Sequence, residues 1–106
     1  MVIQWNRRAR QELRDIYSYH LSVAGKQVAQ HIQNKIIDVV SSLANQPHMG
    51  HVMDKIEGLD ERFRSLVINK HYKVIYFIDN CMIVIFSIWD TRQNPVKLES
   101  TLKVGR

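Results

Sequence analysis

The sequence predicts an α+β domain made of a short β-strand, an α-helical hairpin and a three-stranded antiparallel β-meander, with a short helix or loose tail at the C-terminus. Three observations lead there. The first half carries apolar residues at helical spacing with one interruption at Gly25; the second half is dominated by β-branched and aromatic runs; and the gaps between those runs are of hairpin length. A chain of 106 residues closes one hydrophobic core, so residues 1–106 are expected to form a single domain. With 45% hydrophobic and 24% charged residues, and only two Pro and four Gly, it is neither disordered nor collagen-like.

Met1 to Trp5 is a short apolar start, read as the first strand. Asn6 is placed to cap the helix that follows, because its short side chain can accept from a first-turn N–H. Ala9, Leu13, Ile16, Tyr17, His20 and Ala24 then define one helix face. After Gly25 the pattern resumes at Val28, Ile32, Ile36, Val39, Val40 and Leu43, until Asn45 and Pro47 stop it. Residues 48–61 mix Gly50, Gly58, Asp54, Glu57, Asp60 and Glu61 with isolated apolars and read mostly as loop. Phe63 to Ile68, Tyr72 to Ile78 and Met82 to Trp89 are the three strands, joined at Asn69-Lys70-His71 and Asp79-Asn80-Cys81. The last two are apolar at nearly every position, so both faces of the sheet should be covered, by helices or by a partner. Asn94-Pro95 ends the last strand, and Val96, Leu98 and Leu102 suit a short helix or a tail.

Composition narrows the function classes. The longest apolar stretch, Met82 to Trp89, is far short of the roughly 20 residues that cross a bilayer, and the N-terminus lacks a signal-peptide core. A soluble cytoplasmic protein with no membrane partner is expected. Cys81 is the one cysteine, which excludes an internal disulfide framework and a cysteine-built zinc site; a buried strand thiol is the default reading. Fifteen Lys and Arg against ten Asp and Glu give a net charge of +5, favouring anionic partners such as nucleic acid, a ribosome or an acidic protein.

Motifs for metal, nucleotide or nucleophile chemistry are weak or missing. His48-x-x-His51 with Asp54 has a spacing suited to a divalent metal but lacks a fourth ligand and contains Gly50, so an ordinary polar connection is expected, with no metal and no cofactor. His20 and His31 sit in or beside helical stripes and read as satisfied or exposed histidines. Ser, Cys and His fall in no nucleophile motif, and there is no Gly-rich phosphate loop.

Two basic sets stand out. Arg7, Arg8 and Arg10 crowd the first turns of the first helix, where the macrodipole disfavours cations by ~0.3 kcal/mol or more apiece. They mark a contact surface or are merely solvated, with their stems covering apolar surface. The second set is Arg62 and Arg64 on one strand, Lys73 on the next, and Arg92 with Gln93 past the end of the third. In a meander these can converge into a phosphate-binding cluster; the alternative is that they protect a sheet edge.

The order of elements, together with certain residues, resembles the RelE/ParE superfamily, the toxins of type II toxin-antitoxin modules. The resemblance runs through Trp5, Ala9, Leu13, Ile16 and Tyr17; Pro47 and Gly50; Leu59 and Arg62; His71-Tyr72-Lys73-Val74-Ile75-Tyr76; and Ile88-Trp89-Asp90-Thr91-Arg92-Gln93-Asn94-Pro95, which is similar to the ending of ParE-like members. It implies a toxin neutralised by a cognate antitoxin, as a homodimer or a hetero-oligomer with that antitoxin. RelE-like members cut messenger RNA on the ribosome, and ParE-like members poison DNA gyrase. On the nuclease branch the resemblance assigns Lys73, Arg92 and Arg62 as catalytic. However, Asp90 stands where many members have His, and residues 96–106 contain neither Tyr nor His, leaving Lys55, His51 or His71 as proton acceptors.

The leading expectation is therefore a ParE-like gyrase inhibitor that contacts its target through Trp89, Arg92, Gln93 and Arg64 and its partner through Arg7, Arg8 and Arg10. A ribosome-dependent endoribonuclease is the runner-up. A non-toxic domain that retains antitoxin binding is the third reading.

Overall fold

Residues 1–53 and 62–92 are described by a computed structural model, in which the predicted first strand, helical hairpin and three meander strands are present and the sheet is larger than expected. The order is β1 (Val2–Trp5), α1 (Arg7–Ala24), α2 (Lys26–Ser42), β2 (His51–Val52), β3 (Arg64–Val67), β4 (Tyr72–Asp79) and β5 (Met82–Asp90). All five strands join one sheet in the order β1-β5-β4-β3-β2. β1 runs parallel to β5, with Val2 opposite Met82 and Trp5 opposite Ile85; the other pairs are antiparallel. The expected three-stranded meander is therefore extended on both sides. The β1 pairing spans the helical hairpin, so local pattern carries no trace of it. β2 has two residues, too few for a period to show.

Local chemistry explains the helices. Asn6 takes an extended backbone and its Oδ1 accepts from Ala9 N–H at 2.8 Å, the N-cap bond. Gly25 ends α1 and begins α2 at φ 92°, a region that residues with a Cβ rarely enter, while its N–H still bonds Leu21 C=O at 3.2 Å. The two helices lie on one face of the sheet. Ala9, Ile36, Val40 and Leu43 are buried there against Val74, Tyr76, Ile83, Ile85 and Ile88, with Leu13, Ile16, Ile32 and Val39 packed around them. The other face has its own cluster of Phe63, Ile75, Phe86 and Trp89, with Phe77 and Met53 alongside. Phe63 meets Phe86 and Phe77 edge-on, at ring-centroid distances of 5.2 and 5.6 Å.

A bulge in β5 serves both faces. Ile75 pairs with Ser87 but Tyr76 pairs with Ile85, leaving Phe86 as the extra residue. This phase shift lets Ile83, Ile85 and Ile88 all reach the helices, while Phe86 and Trp89 reach the opposite cluster.

Cys81 corrects one expectation. It lies exposed in the β4–β5 turn beside Asn80, whose φ of 55° suits a tight hairpin, so the thiol is not buried in a strand. The acidic segment 54–61 and the residues from Gln93 onward, with Asn94-Pro95 and the short helix or tail expected after them, lie outside the described residues. Among the described residues no helix is long and apolar enough to cross a membrane.

Candidate functional site

The chain leaves the sheet at Asn6, so β5 loses its β1 neighbour beyond Ile85. Glu12 of α1 fills that place: its carboxylate accepts from Ile88 N–H and from Ser87 Oγ, both at 3.2 Å. Burial pushes the Glu12 carboxyl above its usual range, and these two bonds and Arg8 oppose the shift. Glu12 is one wall of a cleft of about 510 Å³ between α1 and the end of the sheet, shared with Asp15, Ile16, Tyr19, Tyr72, Ile88, Asp90 and Arg92.

The register builds this cleft. Tyr72 on β4 pairs with Asp90 on β5, and His20 lies on the inward stripe of α1, so all three meet at one end of the sheet. Tyr72 Oη and His20 Nε2 are hydrogen-bonded at 2.9 Å, and the His20 ring meets Tyr19 and Tyr72 edge-on. Burial raises the Tyr72 hydroxyl, assisted by the Asp90 charge. Asp90 grips Arg92 with both oxygens, accepting from Nε at 2.9 Å and from Nη2 at 2.7 Å, and also takes the Arg92 backbone N–H at 2.9 Å. The guanidinium hydrogen bonds hold the Asp90 carboxyl below its usual range, and the carboxylate holds Arg92 firmly protonated. The result is an exposed guanidinium fixed in one orientation at the mouth of an aromatic and acidic cleft.

Midway along β4 a second tyrosine is used differently. Tyr76 Oη donates to Pro47 C=O at 2.8 Å and accepts from Gly50 N–H at 2.9 Å. Arg64 Nη1 donates to Gly50 C=O at 2.9 Å and approaches His48 C=O at 3.4 Å. These bonds clamp the connection from α2 to β2. Burial raises the Tyr76 hydroxyl as well.

Residues 3–95 match the family model of the ParE toxin of type II toxin-antitoxin system, parDE. This chain belongs to the ParE toxin family. A solved structure of the chromosomal ParDE toxin-antitoxin system from P. aeruginosa shares its fold, with a TM-score of 0.69 and 22% identity over 85% of this chain and 95% of that one. No curated protein matches the sequence.

Within this ParE fold, the cations expected to converge do not. Lys73 lies across from Val67 and Trp89, on the face opposite the helices, whereas Arg92 follows Asp90 onto the cleft side with Tyr72. Antiparallel pairing sets Arg64 opposite Tyr76 and Val67 opposite Lys73, so Arg62, which precedes β3, falls at the other end of the sheet from Lys73. The shared face of Arg62 and Arg64 was readable from alternation, but the end of the sheet they occupy was not. Trp89 is 4% exposed and packs with Phe63, Ile75 and Phe86, and the Arg64 guanidinium is occupied by backbone carbonyls. Arg7 and Arg10 are exposed on the first turns of α1 and Arg8 is half-buried. Arg7 and Arg8 flank a surface depression with Asn6, Gln11, Glu12 and Arg14. Of the expected proton acceptors, His51 sits on β2 opposite Ser65 and His71 in the β3–β4 turn, with its carbonyl bonded to Thr91 N–H at 2.8 Å. Gln93 and Lys55 lie outside the described residues. Among the described residues no group of His, Cys, Asp and Glu could hold a metal, and Asp54 is not among them.

Sequence reasoning missed Glu12 and Tyr72 as walls of one cleft, and His20 as the partner of Tyr72. A signal existed, since counting outward from the Asp79-Asn80-Cys81 turn brings Tyr72 near Asp90, and His20 shares the buried stripe of α1.

Proposed function

We propose that this ParE toxin arrests growth in the cytoplasm by binding DNA gyrase, and that a cognate antitoxin from the same module neutralises it. Membership of the ParE family over residues 3–95 is the observation that carries the reading. The geometry is consistent with it. The cross-strand neighbours of Lys73 are Val67 and Trp89, neither able to accept a proton, and Arg92 is on the other face. A nuclease would need its cations and a base around one phosphate. On this reading the chain acts by binding and catalyses no reaction. Arg92, held by Asp90 at the cleft mouth, is the residue best placed to meet the target, with Gln93 next to it in sequence.

The deciding experiment adds purified protein to a gyrase supercoiling assay and, in parallel, to translating ribosomes read by primer extension. Loss of supercoiling with intact messenger is the expected result, reversed by the product of the neighbouring gene. Codon-positioned cuts with untouched supercoiling would establish the RelE-like nuclease. Growth unaffected by expression, with antitoxin binding retained, would leave a non-toxic interaction domain.

A further inference from the structure

Four of the chain's fifteen Lys and Arg fall within the eight residues from Arg7 to Arg14, where the single acid is Glu12. That acid is already used. Its carboxylate accepts from Ser87 Oγ and Ile88 N–H, which turns it toward β5, and the charge of Arg8 bears on it without an ion pair. The next acid along α1, Asp15, accepts from Gln11 Nε2 at 2.9 Å. Among the described residues the one ion pair is that of Arg92 with Asp90, so this half of α1 keeps a net positive surface. Arg7, Arg8 and Arg14 surround one depression with Asn6, Gln11 and Glu12, and every residue lining it is polar. Arg7 and Arg14 are both exposed. Two helical turns apart, they stand on one line of α1 about 10 Å long, the axial rise of about three base pairs. Glu12 also walls the Tyr72 cleft, so the depression adjoins the surface on which Arg92 is fixed.

We infer that this arginine patch grips the sugar-phosphate backbone of the DNA that gyrase holds, while Arg92 meets the enzyme itself. The lining selects this occupant. A segment of a partner protein brings apolar side chains that need an apolar floor, and the depression has none. Interfaces with DNA are more polar and more positive than those between proteins, and guanidinium groups bond phosphate oxygens in pairs. A second copy of the chain would set arginines against arginines in a protein of net charge +5. Backbone contacts carry no sequence information, so binding is indifferent to base sequence and steeply dependent on salt. Two contacts on one assembly act together, so the toxin prefers gyrase loaded with DNA to the free enzyme. The source of the DNA rests on the gyrase reading above; the phosphate chemistry of the patch does not.

The test uses the full-length protein and a labelled DNA duplex of random sequence, read by fluorescence anisotropy. Log affinity should fall with log salt at a slope of about −2.7, the value for three arginines on three phosphates. Arg7→Gln with Arg8→Gln should shrink the slope to about −0.9, whereas Lys26→Gln with Lys35→Gln, the same charge loss at exposed positions of α2, should leave it nearly unchanged. Arg14→Gln, on the solvent side of α1, should remove about one unit of slope and serves if circular dichroism shows the first double variant unfolded. Wild type should bind gyrase carrying the duplex about tenfold or more tightly than gyrase alone, and the Arg7 and Arg8 variant should lose that preference. The proposal is overturned by absence of duplex binding at low salt, or by equal losses in the two double variants. A capped oligoglutamate peptide or an RNA duplex that binds more tightly than the DNA overturns it as well, as does an Arg7 and Arg8 variant that keeps its full preference for loaded gyrase. Arginine-dependent duplex binding in a protein that does not bind gyrase would sink the gyrase reading and leave the phosphate-binding patch standing. Gyrase inhibition by the Arg7 and Arg8 variant at the wild-type level would do the reverse.

Discussion

Tyr72 and Tyr76 share one strand and one face, are both buried, and have hydroxyls made less acidic by burial, yet the molecule uses them for opposite purposes. The Tyr76 hydroxyl is fully occupied by backbone, giving its proton to Pro47 C=O and accepting from Gly50 N–H. Tyr72 is bonded to the side chain of His20 at the floor of a cleft that also holds Asp90 and Arg92. A hydroxyl that closes a loop on backbone groups has partners that neither titrate nor rotate away. One that ends among side chains remains responsive to protonation and to a bound partner. The difference separates a structural corner from the surface available for function, and substitutions can break or sharpen it.

The largest effect is expected at the structural corner. A Cβ on Gly50 would sit 2.7 Å from Tyr76 Oη and 3.0 Å from Ser65 C=O, so Gly50→Ala must displace the ring or the loop. Overpacking of this kind costs about 2 to 3 kcal/mol, measurable as a lowered urea midpoint. Tyr76→Phe follows at about 2 kcal/mol, because it leaves the buried Gly50 N–H and the Pro47 carbonyl without their partner. Tyr72→Phe should cost less, about 1 kcal/mol, since His20 is only partly buried and can turn to water. A Tyr72→Phe loss equal to that of Tyr76→Phe would erase the distinction between the two corners.

The same comparison extends to pH. Burial raises the Glu12 carboxyl, so between its ordinary value and the raised one the folded protein holds a proton that the unfolded chain has released. That contribution is fully present below the ordinary value and is lost as pH rises through the folded one. Glu12→Gln should therefore flatten the stability profile of the wild type across this window, as read from urea midpoints at successive pH values, while its amide oxygen keeps an acceptor for Ile88 N–H. An unchanged profile would mean that Glu12 is solvated and that the edge of β5 is held otherwise.

Much of this architecture was readable from local pattern. Asn6 and Gly25 announced the helix boundaries through their own backbone chemistry, and the apolar stripes marked the faces that α1 and α2 bury. The two β-branched runs and their short turns marked β4 and β5. Unreadable were the features set by partners distant in sequence. Parallel pairing of Val2–Trp5 with β5 depends on where the hairpin returns the chain, and the shift at Phe86 depends on two cores competing for one strand. The basic cluster failed for a related reason. Alternation tells which face Arg62, Arg64 and Lys73 occupy on their own strands, but antiparallel register decides which end of the sheet each reaches. Arg64 then served the Gly50 loop, and only Arg92 of the set stands at the cleft.

Arg92 is therefore the sharpest separation of stability from function. Its side chain is exposed and its ion pair with Asp90 is a short-range surface contact, so Arg92→Ala should lower the urea midpoint at neutral pH only slightly. The Asp90 carboxyl should move up toward its ordinary value when the guanidinium is removed. In the wild type the stabilisation from this pair is present above the ordinary carboxylate value and lost as pH falls through the lowered one, so the variant should lack that acid-side loss. Toxicity should respond differently. If the fixed guanidinium meets the target, its removal costs a charge-assisted contact, expected as about a tenfold rise in the protein level needed for growth arrest. Lys73→Ala, on the other face beside Val67 and Trp89, should change that level by a few-fold at most, where loss of a catalytic cation would cost about 100-fold. Growth-arrest titration of both variants, with circular dichroism as the folding control, reads the comparison directly. A large loss at Lys73 with none at Arg92 would move the active surface to the far face of the sheet and return the ribonuclease reading to first place.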